Sequence, residues 1–185
     1  MEYFLAVDFD GTIAERDVTD TVLAEFARAE WMDVEKQWLS GAIGSRECLS
    51  RQMSLVDATM EVLLAFVEKM AIDRFFPLFV QYVRANEIPF AVISDGFCPF
   101  IRQILSRAGL PDIPVCANQL TEQNGKFKVS FPHNAIGCPA GTCKCSTAEE
   151  LAKGLPVILV GDGRSDFCLA DKADYVFAKG KLVGY

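Results

Sequence analysis

Histidine is almost absent from this chain of 185 residues; the only one is His133. It lies at the end of a hairpin-like stretch, away from the other polar motifs, so no serine-hydrolase triad can be built around it. Positive charge is also scarce. Eighteen Lys and Arg stand against 25 Asp and Glu, a net charge of −7, which argues against nucleic acid or an anionic membrane surface as the main partner. No apolar run approaches the length needed to cross a bilayer. Glu2, Asp8 and Asp10 interrupt the first apolar stretch, so no signal peptide is expected.

Paired Cys-x-x-Cys motifs are missing too. Seven cysteines, an odd count in a chain with an ordinary core, favour reduced thiols and a cytoplasmic setting. Cys138, Cys143 and Cys145 form the one local cluster. It offers three zinc ligands at most, and a Gly/Pro-containing loop with partly buried thiols is the preferred reading. What is present is a hydrophobic fraction of 51% with 23% charged residues, enough for one good core and a smaller appended unit.

The stretch Tyr3–Asp10 reads as a strand buried on both faces. From about Thr19 to Met70 three or four amphipathic helical segments follow with no strand among them. Such a run directly after a first strand reads as a cap inserted over that strand's end. A helix over 73–87, interrupted early by Pro77, comes next. A second strand over 88–94 leads to a helix with Pro99 in its first turn and Gly109 at its C-cap. A short third strand covers 114–118, and 119–131 reads as a hairpin turning at Asn124-Gly125. Ser146 and Glu149 are spaced as a capping box opening a further helix. A fourth strand ending at Gly161-Asp162-Gly163, a short helix from Arg164 and a fifth strand from Tyr175 complete the pattern. Strand and helix alternate outside the insertion, so the expected fold is α/β, a doubly wound Rossmann-like parallel sheet. Residues 1–14 and 74–185 would form the core and 15–73 the helical cap.

Every unusual polar group falls at a strand's carboxyl end or in the loop after it, where such sheets bind ligands. Asp8 and Asp10 end the first strand on one side of it, Ser94-Asp95-Gly96 ends the second, and Asp162 with Asp166 follows the fourth. Two anions so close stay ionised only beside positive charge. Phosphoryl transfer fits this set. Asp8 would attack phosphorus, and Asp10 would protonate the leaving oxygen and later activate water. A Mg²⁺ ion would be held by Asp8, the Asp10 carbonyl and Asp162. Ser94 and Lys144 would hold phosphate oxygens, helped by backbone N–H groups near Gly11 and Gly96. Asp166 would orient Lys144 or a metal-bound water from behind.

The sequence Asp8-Phe9-Asp10-Gly11-Thr12, Ser94 after an apolar strand, Lys144, and Gly161 to Asp166 occur in this order. Together they resemble the four motifs of the haloacid-dehalogenase-like phosphatases, spread over nearly the whole chain. The resemblance implies a Mg²⁺-dependent phosphomonoesterase with an aspartyl-phosphate intermediate. Asp10 argues against a dehalogenase. The insertion is similar to the cap of the phosphoserine-phosphatase-like subgroup. More loosely, Ala27–Gly41 and Phe131–Cys145 resemble methionine-salvage phosphatases acting on an enol phosphate. The subgroup also implies that Asp17 faces the substrate; Arg51 is a candidate anion contact, with a solvated charge the plainer reading. The subgroup continues past the fifth strand, whereas this chain stops at Tyr185; a naturally short chain and a trimmed one both fit.

Trp31 and Trp38, seven apart on one helical face, could line a pocket, with the seam between cap helices the plainer reading. The expected partner is a small phosphorylated metabolite, as monomer or homodimer, with phosphoserine as the alternative substrate. A phosphotransferase would keep the same residues. A non-catalytic phospho-ligand binder requires a broken motif, and none is broken.

Overall fold

Phe4–Val7 forms β1, and all four residues are buried. Alternation sends Leu5 and Val7 into one apolar cluster and Phe4 and Ala6 into another, as a strand in the middle of a sheet requires. The structure is a computed structural model describing residues 2–185. Four helices follow β1: α1 (Val18–Phe26), α2 (Trp31–Leu39), α3 (Ser45–Met53) and α4 (Met60–Val67). Then come α5 (Phe76–Ala85), β2 (Phe90–Phe97), α6 (Cys98–Arg107), β3 (Val115–Gln123) and β4 (Lys126–Ser130). The chain finishes with α7 (Lys144–Ala152), β5 (Val157–Gly161), α8 (Phe167–Ala170) and β6 (Tyr175–Ala178).

The sheet order is β4-β3-β2-β1-β5-β6. All pairings are parallel except β3 with the edge strand β4. Val7 is flanked by Val92 on one side and Val160 on the other. The chain leaves β1 toward β2 and β3, then returns through α7 to β5 on the opposite edge. The order therefore reverses at β1, and the crevice beyond its carboxyl end is the natural ligand position. Helices α1, α4, α5 and α6 cover one face of the sheet and α7 and α8 the other.

Local rules account for most boundaries. Gly109 has φ +73°, its N–H donates to Ser106 O and that of Leu110 to Leu105 O, a Schellman closure of α6. Asn124 and Gly125 both have positive φ, as a type I′ hairpin turn demands.

Four expectations need correction. The third strand and the first arm of the hairpin are one strand, β3, because the ladder to β2 hands over to the ladder to β4 without a break in the chain. Pro77 does not interrupt its helix; it sits in the first turn of α5, where its missing N–H has no partner to lose. The second strand runs past Ser94 to Phe97, through a register shift against β3. Ser146 and Glu149 do not open a helix: α7 begins at Lys144, without a side-chain cap, because Lys144 is drawn into the interior.

The helical insertion is joined to the sheet by apolar packing. Leu63 and Val67 of α4 are fully buried in the cluster that also holds Ile101, Ile104 and Leu105 of α6. Removing the Leu63 side chain leaves a cavity at this joint. Leu63→Ala is expected to destabilise the protein by about 2–5 kcal/mol. Trp31 and Trp38 are the only tryptophans, both in α2, so their fluorescence reports the insertion. In urea it should change together with far-UV circular dichroism, in one transition.

Candidate active site

Lys144 organises the crevice. Its side chain is 1% exposed, and its ammonium donates to Asp8 Oδ1 and to Asp166 Oδ1, both at 2.7 Å. Asp8 Oδ1 also accepts the Phe9 N–H at 2.7 Å, which leaves Oδ2 of Asp8 uncommitted. Asp166 Oδ2 accepts the N–H groups of Asp162 and Gly163, each at 3.1 Å. Asp166 thus ties Lys144 to the loop that carries Asp162, and both its oxygens are engaged. An ammonium has three donors; two are used here, and the third is left for a ligand.

Asp10 is held differently. Its Oδ1 accepts the N–H of Val18, the first residue of α1, at 2.8 Å, so it sits at the positive end of that helix. Its Oδ2 lies 3.5 Å from Ser94 Oγ, and Ser94 Oγ accepts the Gly96 N–H at 3.0 Å. The Gly96 N–H, expected to face phosphate, is therefore committed within the protein. Glycine is needed at 96 for another reason: a Cβ there would lie 2.7 Å from Asp10 Oδ2. Gly11 has φ +69°, and a Cβ on it would run into the Asp162 carboxylate. Both glycines let backbone approach the carboxylates closely.

The nearest carboxylate oxygens of Asp8, Asp162 and Asp166 lie within 4.8 Å of one another. Hard oxygen donors at this spacing suit Mg²⁺. One lysine cannot neutralise these three carboxylates and Asp10 as well, so burial acts on them with incomplete compensation. Burial pushes Asp8 up to about 7 against the pull of Lys144. Burial and the Asp17 charge hold Asp10 well above the ordinary carboxylate range. Asp162 is raised by burial and by Asp166. Burial acts to lower Lys144, but Asp8 and Asp166 outweigh it and raise its pKa.

The crevice opens into a cavity of about 520 Å³ floored by Asp8, Asp10, Ser94 and Asp162 and roofed by α2 and α3. Asp17 lines it and also caps α1, accepting the Asp20 N–H at 2.8 Å; burial and Asp20 push its carboxyl up to about 6. Arg51 is not brought to the cavity. It turns to Gln37 Oε1 at 3.0 Å and Glu47 Oε1 at 3.2 Å. The tryptophans divide: Trp31 packs on the core, and Trp38 lines the cavity with the Arg164 guanidinium 5.6 Å from its ring centroid. The cysteines do not gather as a metal site among the described residues. All seven cysteines are free, and Cys143 and Cys145 are buried in one apolar cluster.

Several residues at the site escaped the sequence reading. Asp95 Oδ1 accepts the Thr142 N–H at 2.8 Å, and buried Asn118 donates to Asp95 O at 2.6 Å. These bonds tie the ends of β2 and β3 to the loop before Lys144. Neither Asn118 nor Thr142 belongs to a recognisable local motif, so nothing in the sequence marks them.

The raised carboxyls make a prediction. Acids whose folded pKa exceeds the unfolded value stabilise the fold below the unfolded pKa and lose that stabilisation as pH rises through the folded one. With chelator present, the melting temperature is expected to fall between about pH 4 and pH 7, the window set by Asp17 and Asp8. Added Mg²⁺ at pH 8 should restore it. A melting temperature flat over this range would show that the carboxylates are not crowded.

Known proteins resemble this chain over nearly its whole length. A protein of an Exiguobacterium species named 2-hydroxy-3-keto-5-methylthiopentenyl-1-phosphate phosphatase is 28% identical over 99% of this chain and 87% of its own length. A protein of Bacillus velezensis with the same name is 31% identical over 95% of this chain and 77% of its own. Among solved structures, a substrate-bound phosphoserine phosphatase superposes with a TM-score of 0.76 at 21% identity, covering 100% of this chain and 90% of that one. Residues 5–171 match the haloacid dehalogenase-like hydrolase family, and the chain belongs to that family.

Proposed function

We propose that the protein is a Mg²⁺-dependent phosphomonoester hydrolase acting on a small phosphorylated metabolite in the cytoplasm. The methionine-salvage enol phosphate that names its relatives is the first substrate candidate. The observation that carries this reading is the pair of distinct carboxylates on one strand end. Asp8 is ion-paired to a buried lysine with one oxygen left over. Asp10 is kept protonatable by burial, which outweighs the opposing Val18 N–H bond at the start of α1.

In this reading Asp8 Oδ2 attacks phosphorus and forms an aspartyl phosphate. Lys144 steadies Asp8 and offers its remaining N–H to a phosphoryl oxygen, with Ser94 Oγ beside it. Burial raises the pKa of Asp10 and so favours its protonated form. Asp10 gives its proton to the leaving oxygen, then takes one from the water that releases phosphate. Asp8, the Asp10 carbonyl and Asp162 would hold Mg²⁺, which when bound supplies positive charge that lets anion meet anion. Residues 15–73 would act as the cap, excluding water during the first step.

Phosphate release from a panel of small phosphate esters tests this. Turnover is expected to need Mg²⁺, to vanish with chelator, and to proceed without an added phosphoryl acceptor. Asp8→Asn should lower the rate by about 10³-fold or more, and Asp10→Asn by about 10²–10⁴-fold. A fully active Asp8→Asn protein would overturn the mechanism, and turnover only with an added acceptor alcohol would make the enzyme a phosphotransferase.

A further inference from the structure

Charges of both signs line the cavity, but the two roof helices contribute them unequally. Of the side chains that α2 and α3 contribute to its lining, Glu35 alone is charged; Trp38, Ser45, Cys48, Leu49 and Gln52 are not. The basic residues of these helices face elsewhere. Arg46 donates to Cys138 O at 2.9 Å, Arg51 pairs with Glu47, and exposed Lys36 pairs with Asp33. Arg16, Arg164 and Lys181 line the cavity as well, but none forms an ion pair with Glu35 among the described residues, and the Arg164 guanidinium donates to Leu39 O at 2.9 Å.

Glu35 is also fixed in place. Gln52 and Cys48 lie one turn apart on α3, 2% and 3% exposed, so they present one face to α2. Gln52 Nε2 donates to Glu35 Oε2 at 2.9 Å, and Cys48 Sγ lies 3.9 Å from the same oxygen. Both contacts fall on Oε2, which leaves Oε1 for a ligand. A carboxylate held by buried side chains cannot swing away from an unsuitable partner. Asp20, also in the lining, adds a second negative charge close by.

We infer that Glu35 is the specificity-determining residue of this cavity: it accepts a hydrogen bond from a donor group, hydroxyl or ammonium, on the organic part of the phosphate ester, and it rejects esters that carry a carboxylate there. The inference rests on the reading of the cavity as a phosphatase site. Its physical basis is that selectivity comes as much from repulsion as from attraction. A ligand carboxylate placed against Glu35 meets a repulsion that no ion pair of Glu35 offsets among the described residues. A hydroxylated neutral tail meets no such penalty. Phosphoserine, whose tail holds both ammonium and carboxylate, is disfavoured relative to a hydroxylated, uncharged enol phosphate.

Phosphonates test this apart from catalysis, because their carbon–phosphorus bond is not hydrolysed. Binding of aminopropyl-, hydroxypropyl- and carboxyethylphosphonate is measured by calorimetry with Mg²⁺ present, on the wild type and on Glu35→Gln. The wild type is expected to bind the first two about tenfold or more tightly than the third. Glu35→Gln, which keeps the shape and the acceptor but removes the charge, should bring all three within about threefold. The gain should fall on carboxyethylphosphonate. Equal binding by the wild type, or a preference unmoved by Glu35→Gln, would overturn the inference. A protein that releases no phosphate from any ester yet shows this charge preference would sink the phosphatase reading and leave the role of Glu35 standing.

Discussion

One buried ammonium between two buried carboxylates holds this structure's chemistry together. Ions taken out of water are costly unless their partners are close and their remaining hydrogen-bonding capacity is filled. Lys144 comes close to that condition with Asp8 and Asp166 at 2.7 Å each; the Phe9, Asp162 and Gly163 N–H groups fill most of the rest and leave Asp8 Oδ2 and one ammonium donor open. Three stretches far apart in the chain are thereby fixed to one another: the end of β1, the start of α7, and the turn after β5. The same requirement moves the start of α7 away from its best capping residue. A favourable cap at Ser146 is worth about 1 kcal/mol, less than leaving buried carboxylates without their cation would cost.

The triad also leaves a deficit of positive charge. Burial raises the carboxyl pKa of Asp8, Asp10 and Asp162 alike. The protein without metal is therefore electrostatically frustrated at the point where a divalent cation and a phosphate would bind. Stability is given up there in return for a site that is strained until occupied. The roof continues the theme by other means: Glu35 is held by uncharged neighbours, so its charge is directed into the cavity rather than cancelled.

The sheet and its crevice were legible because their signals are local. Each motif is a short apolar run followed by Asp, Ser or Gly, and the parallel order follows from strand–helix alternation. Legibility failed wherever a side chain's role is decided by what lies across space. Asn118 and Thr142 meet Asp95 only because β2 and β3 are neighbours. Glu35 meets Gln52 only because α2 packs on α3. Arg51 sits on the same helix as Gln52, but the rotation of α3 turns it to Glu47 instead of the cavity. Ser146 and Pro77 misled for a related reason, since each carries a real local preference that its surroundings use differently.

The position of β1 has a kinetic side as well. The first strand made is the central one, and one of its two edges is closed by β5, with Val7 beside Val160. Closing so long a loop adds little to the entropy cost of a shorter one, because that cost grows only logarithmically. Contacts of such high sequence separation nevertheless slow the search for the native state. A growing chain must carry the apolar edge of β1 uncovered through the synthesis of the insertion, β2, β3 and α7. Its longest exposure to misassociation therefore comes before β5 arrives, and Lys144 gains both of its carboxylate partners, Asp8 and Asp166, only at that late stage.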